Sequence, residues 1–285
     1  MRFAPILLAS LSLLTSSFAA EEAAPPAGLK ILSAGHSFHV WMPPLVAEMA
    51  KAAKIQGHEQ LAISSIGGSQ VIQHWNLPVE KNKAKPVLTA GTADLFTMAI
   101  TVLPDPGIEN FVKLGLEHNP KLRFTLQQNW VPYEDVELWR SAAGRPKVID
   151  RDGLTVAQLR SKHEPYFKMV EDFVVGFNRQ IPAAKIVIVP CGEAVIALRD
   201  KVIRGEAPGV TKQNELFTDA LGHPAAHIRV LAAYCHFAVI YKRSPVGLPV
   251  NSQLAKLPEA EKLNRLLQEI AWKVVTDYPM SGVSK

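Results

Sequence analysis

The chain has 285 residues, 48% hydrophobic and 20% charged, a balance that allows a sizeable buried core and excludes a disordered chain. Its formal charge of +5 comes from 31 Lys and Arg against 26 Asp and Glu, scattered singly rather than in blocks. No nucleic-acid partner is expected from that pattern.

Met1 to Ala20 carries one positive charge, Arg2, then an apolar centre from Phe3 to Leu14 and small residues up to Ala19-Ala20. That layout predicts a signal peptide over 1–19 and an exported protein, periplasmic or extracellular. No later apolar run has the length of a membrane span, so no membrane association is expected once the signal is removed. Residues 20–28 (AEEAAPPAG) read as a flexible lead-in, and 29–285 as a single domain. Cys191 and Cys235 are too few for a disulfide framework; they could pair in an oxidising compartment or serve as small hydrophobes in the core.

Five strand-like runs follow in order: Leu29 to Ser33, Leu61 to Ser65, Leu95 to Thr101, Arg123 to Gln128 and Lys185 to Pro190. Apolar spacing of three and four predicts helices over Trp41 to Ala53, Gly107 to His118, Leu154 to Arg179, Glu193 to Ile203, Ala226 to Tyr241 and Glu259 to Thr276. Strands alternating with helices imply parallel pairing and right-handed crossovers. The expected fold is α/β, a three-layer α/β/α sandwich on a five-stranded, mainly parallel, flavodoxin-like sheet. Near-continuous apolar strands such as Ile186 to Val189 fit a sheet covered on both faces. The Pro-containing, charged stretch at about 131–153 reads as an insertion within the domain.

Polar residues gather where these strands end. Gly35-His36-Ser37 follows the first strand, which either presents the Ser37 hydroxyl at the ligand-binding edge of the sheet or uses it to cap a helix. Gly67 and Gly68 follow the second; they form a turn, or let the backbone approach a ligand and donate N–H groups to an oxyanion. Gln128 and Asn129 follow the fourth, as hydrogen-bond donors or as turn caps. Asp219 and His223 stand on a loop before the helix from Ala226. A histidine oriented by a carboxylate is what a serine nucleophile requires, although a lone His-Pro can also be structural.

On Gly35-His36-Ser37-Phe38, Gly67-Gly68, Asp219 with His223, and the tail Arg243 to Gly247, the chain resembles the SGNH (GDSL-like) hydrolase superfamily, in its secreted Gly-x-Ser-Phe branch. The resemblance implies a carboxylic ester hydrolase working through an acyl-enzyme on small acyl esters, carbohydrate O-acetyl groups among them. Ser37 would be the nucleophile, His223 the base and Asp219 its partner. The N–H groups of Ser37 and Gly68 would belong to the oxyanion hole. His36 stands where the family usually carries Asp, a place that varies in the Gly-x-Ser-Phe branch, and two further features depart from the family pattern. Three residues rather than two separate Asp219 from His223, and the Gly-x-Asn-Asp block after the third strand is replaced by Thr101 to Asp105, so that Gln128 or Asn129 would supply the missing donor.

Two other readings compete. His36, His39, His223 and His227 could converge on a metal, though no carboxylate or cysteine stands beside them at ligand spacing, so no metal or cofactor is expected. Alternatively the chain is a non-catalytic carbohydrate-binding or scaffold protein on a hydrolase fold. Trp41, Trp75, Trp130 and Trp139 could line a sugar cleft in either case, with at least two of them expected to fill the core instead. The expected partner is a small-molecule or carbohydrate ester; oligomeric state is left open.

Overall fold

The computed structural model describes residues 24–141 and 144–284. The expected signal peptide and the first residues of the lead-in lie outside that range. The end of the lead-in is held: Gly28 donates to the Gln56 carbonyl at 2.8 Å, and a Cβ there would meet Gly57 backbone at 2.2 Å.

Five strands form one all-parallel sheet in the order β2-β1-β3-β4-β5: β1 Lys30–Gly35, β2 Glu59–Ser65, β3 Leu95–Ala99, β4 Arg123–Gln127 and β5 Val187–Val189. This is the doubly wound order, with its reversal between β1 and β3. The principal helices lie close to their expected positions: α1 Met42–Ala52, α4 Pro106–His118, α6 Val156–Gln180, α7 Cys191–Ile203, α8 Ala226–Tyr241 and α9 Ala260–Asp277. Three short helices, α2 Val71–Trp75, α3 Ala84–Thr89 and α5 Val136–Arg140, were not expected. At five or six residues, each is too short to display helical periodicity. Among the described residues no helix is long and apolar enough to cross a membrane.

Local chemistry sets the helix starts. Thr155 and Gln158 form a reciprocal capping box at α6. Asp105 caps two helices at once, accepting from Gly107 of α4 at 2.9 Å and from Val71 and Ile72 of α2 at 2.5 and 3.0 Å. In α8, 14 of 16 residues are buried, because α9 covers the side that α1 and the sheet leave open.

The two sheet faces differ. Toward α4 and α6 the strands present Leu32, Ala34, Phe96, Met98, Phe124, Leu126 and Ile188, each worth about 2 kcal/mol on burial for the larger side chains. Toward α1 and α8 they present apolar Ile31, Leu95 and Val189 together with buried Ser33, Thr97, Thr125 and Gln127, so the apolar runs are interrupted on that face while β5 keeps the near-continuous pattern expected for Ile186 to Val189. Two of these polar groups meet histidines: His39 Nε2, in the turn before α1, lies 3.1 Å from Thr97 Oγ1, and His236 Nε2, on α8, lies 2.8 Å from Gln127 Oε1. Gly35 makes room, since a Cβ there would sit 2.8 Å from His39 Nδ1. Cys191 and Cys235 are both buried and unbridged.

Candidate active site

At the sheet's carboxyl edge, beside the β1/β3 reversal, the chain leaves β1 in a tight turn. His39 and Val40 both donate to the His36 carbonyl, and Trp41 Nε1 donates to the Ser37 carbonyl at 2.9 Å. The turn leaves the Ser37 side chain half-exposed at the mouth of a cavity of about 170 Å3. Ser37 Oγ lies 2.8 Å from His223 Nε2, and His223 Nδ1 lies 2.5 Å from Asp219 Oδ2. A carboxylate can only accept, so Nδ1 carries the proton and Nε2 is left to accept from the Ser37 hydroxyl. Slight burial pushes the Asp219 carboxyl up, but the bonds from His223 and Gly222 outweigh it and hold it below the ordinary value, ionised at neutral pH.

The extra residue between Asp219 and His223 is taken up by a turn. Gly222, at φ 98°, donates to Asp219 Oδ1 at 2.9 Å, and the His223 N–H donates to the same oxygen at 3.1 Å. Successive carbonyls of this loop each meet a donor. Arg151 donates to those of Asp219 and Ala220 at 3.2 and 2.9 Å, Tyr133 N–H to Leu221 at 3.1 Å, and Trp130 Nε1 to Gly222 at 2.8 Å. The stretch read as an insertion therefore braces the Asp219–His223 loop.

Beneath that brace lies a buried charge cluster. Glu134 accepts from Arg151 Nε at 3.0 Å and from Arg199 Nη1 at 2.8 Å, while Arg199 Nε donates to Gln213 at 2.8 Å. Burial pushes the Glu134 carboxyl up, but Arg199, with His163 and Arg151, outweighs it and holds the group below its ordinary value. Tyr133 and Glu134 both sit at φ 57°, a costly conformation for side chains of their size that the surrounding bonds enforce. Glu134→Ala would leave two guanidinium groups buried without their carboxylate. Its unfolding free energy should drop by about 3–5 kcal/mol, read as a lower denaturant midpoint at unchanged slope. A midpoint equal to that of the parent protein would refute this account of the cluster.

The cavity wall beside Ser37 carries several donors. Gly68 lines it at φ 62°, whereas Gly67 is exposed on the turn and does not. Among the described residues nothing accepts from the Ser37 or Gly68 N–H. Asn129 also lines the cavity, and its amide is oriented by a chain of bonds. His236 lies 2.8 Å from Gln127 Oε1, which makes the Gln127 amide nitrogen the donor to Asn129 Oδ1 (2.5 Å) and to the Phe38 carbonyl (2.8 Å). Asn129 Nδ2 then uses one hydrogen on the Ile100 carbonyl at 2.7 Å and keeps a second. Gln128 does not reach the site. Alternation along β4 sends its side chain to the other face, where its amide donates to Tyr278 Oη at 3.2 Å.

The four histidines considered for a metal do not converge. His36 Nδ1 accepts from Phe38 N–H, and burial pushes its pKa down to about 4. His39 is engaged with Thr97, His223 with Ser37 and Asp219, and no metal-holding cluster occurs among the described residues. Of the four tryptophans only Trp139 lines the cavity. Trp130 stacks on Phe38 at 4.8 Å, Trp75 packs edge-on to Phe111, and Trp41 holds the Ser37 carbonyl.

Sequence reasoning gave no site role to His74, Glu134 or Arg151. The His74 ring bridges Ser64 Oγ and Ser69 Oγ, at 2.7 Å each, and so ties down both ends of the loop bearing Gly67 and Gly68. The even spacing of Ser64, Ser69 and His74, from the end of β2 across the turn into α2, was the available signal for it.

No family model and no curated protein matches the chain. Among solved structures, a DUF4886 family protein from Bacteroides uniformis superposes with a TM-score of 0.54 at 16% identity, covering 90% of this chain and 97% of that one. A protein described as a GDSL-like lipase, from Parabacteroides merdae, gives 0.41 at 11% identity over 76% and 97% of the two chains. Phospholipase A1 from Streptomyces albidoflavus gives 0.44 at 9% identity over 75% and 100%. The chain thus shares its α/β fold with the DUF4886 family protein over most of its length.

Proposed function

We propose that the chain is an exported serine esterase of the SGNH type, cleaving short acyl esters through an acyl-enzyme, with carbohydrate O-acetyl groups among its substrates. The observation that carries this reading is the unbroken line from Asp219 through His223 to the Ser37 hydroxyl at the mouth of a small cavity. Ser37 Oγ would attack the ester carbonyl carbon while its proton passes to His223 Nε2. The bond from that carbon to the alcohol oxygen then breaks, and the alcohol leaves with the proton from His223. Water, deprotonated by the same ring, attacks the acyl-enzyme and releases the acid and the free serine.

The N–H groups of Ser37 and Gly68, and the second hydrogen of Asn129 Nδ2, are the donors available to the negative oxygen of each tetrahedral intermediate. Asn129 would thereby replace the asparagine that the family carries one strand earlier. A cavity of about 170 Å3 favours a short acyl group. Export rests on the pattern of Met1 to Ala20.

A fluorophosphonate and p-nitrophenyl acetate test the reading together. The exported protein should hydrolyse the ester and take up one phosphonate, with the adduct on Ser37 and an intact mass that starts at Ala20. A folded protein that neither labels nor turns over ester would sink the esterase reading in favour of a binding protein. A mass that retains Met1 would sink the export reading alone.

A further inference from the structure

The cavity is electrically simple. Its walls are the apolar faces of Phe38, Pro132, Trp139 and Leu221 and a set of polar groups that are neutral near pH 7. These include His36, which burial keeps uncharged. Among the described residues Arg145 is the one formally charged side chain in the lining, and it enters from the 131–153 stretch.

The Arg145 guanidinium is held rather than loose. Its Nε donates to the Ser141 carbonyl at 2.9 Å and its Nη2 to the Trp139 carbonyl at 2.9 Å, while its plane lies 5.7 Å from the Tyr133 ring centre. Those two carbonyls occupy one edge of the fork. A guanidinium has five N–H donors, so the Nη1/Nη2 edge remains for another acceptor. Among the described residues no carboxylate pairs with it. Two parallel N–H groups on a fixed plane match the two oxygens of a carboxylate.

We propose that Arg145 selects esters bearing a carboxylate, gripping it with the free edge of its guanidinium while the ester carbonyl sits over Ser37. The assignment rests on the esterase reading and narrows its substrate class from short acyl esters in general to those of acidic molecules. Arg145 is exposed, so water and salt weaken the grip. A preference of about tenfold in kcat/KM is expected rather than the hundredfold or more of a buried pair.

Two matched pairs of probes test it in the full chain. 4-Acetoxybenzoate against its methyl ester places the carboxylate on the alcohol side. 4-Nitrophenyl hydrogen succinate against its methyl ester places it on the acyl side. In at least one pair the anionic ester should be favoured about tenfold, and that ratio should decline as salt is raised. Arg145→Gln should bring the ratio near one, and Arg145→Lys should keep part of it, which a general loss of packing would not do. A ratio near one in the parent protein, or one unaltered in Arg145→Gln, overturns the assignment while Ser37-dependent cleavage of the neutral esters leaves the esterase reading standing. No turnover of any of the four esters removes the esterase reading, and this assignment with it.

Discussion

Ser37→Ala should cut ester hydrolysis by about 10^5- to 10^6-fold in kcat, the range found when a serine is removed from a hydrogen-bonded triad. Among the described residues lining the cavity none is a substitute nucleophile. His36 is engaged through Nδ1 with the Phe38 N–H, and Thr101 Oγ1 donates to the Ser69 carbonyl at 3.3 Å. The fold should not notice the change. The Ser37 side chain is only half-buried, its one bond is to His223, and the Trp41 bond that shapes the turn is to the backbone carbonyl. Removing an exposed hydroxyl of this kind lies within about 0.5 kcal/mol of neutral. The decisive comparison is kcat on p-nitrophenyl acetate beside the thermal midpoint, with Ser37→Ala, His223→Ala and the double variant side by side. If the three groups act as a unit, the double variant is no slower than either single one. Retention of more than about 1% of the parent rate by Ser37→Ala, in protein free of other esterases, would dismiss Ser37 as nucleophile.

Much of this architecture is written locally in the chain. Each strand is centred on a short continuous or alternating apolar pattern, and each long helix shows its spacing, so the sheet and its layers could be read without coordinates. The triad geometry was legible for a related reason. Ser37 stands in the turn just after the first strand, and Asp219 and His223 lie on one loop, so each stands next to a recognisable element. What stayed hidden depends on distant partners or on a single step of register. Gln128 and Asn129 are neighbours with the same chemistry, and only the pleat decides that Asn129 faces the cavity and Gln128 faces Tyr278. Arg151 reaches the Asp219 loop 68 residues away, and Trp130 reaches Gly222 across 92, which no local pattern can announce. The buried polar groups of the sheet were missed because Thr97 and Gln127 are buried against histidines 58 and 109 residues distant, a pairing visible only once the helices are packed.

Those buried histidines imply that acid unfolds the protein well before its carboxylates are all protonated. Burial lowers the pKa of His36 and His163 to about 4 and that of His236 to about 3, and it pushes His39 well below the ordinary value. In the unfolded chain the same imidazoles take up protons near pH 6.5. Between those limits the unfolded state binds more protons than the native one, so stability falls as pH falls from about 6.5 toward 4. His36, His163 and His236 each cost on the order of 3 kcal/mol by pH 4, together on the order of 10 kcal/mol, against a total stability of about 5–15 kcal/mol for a typical domain, and His39 adds in the same direction. Asp105 works in the opposite direction, since burial pushes its carboxyl up and the native state then gains a proton first, but it is one group. Glu134, held below its ordinary value, adds to the loss. Near-UV circular dichroism should therefore disappear cooperatively with a midpoint between about pH 4 and 5.5. Ester hydrolysis should vanish with the same midpoint, because the lost species is the whole native state and not a protonation confined to the site. Native dichroism that persists to pH 3.5 would mean that these rings take up protons inside the fold. The account of acid unfolding through these buried imidazoles would then fail.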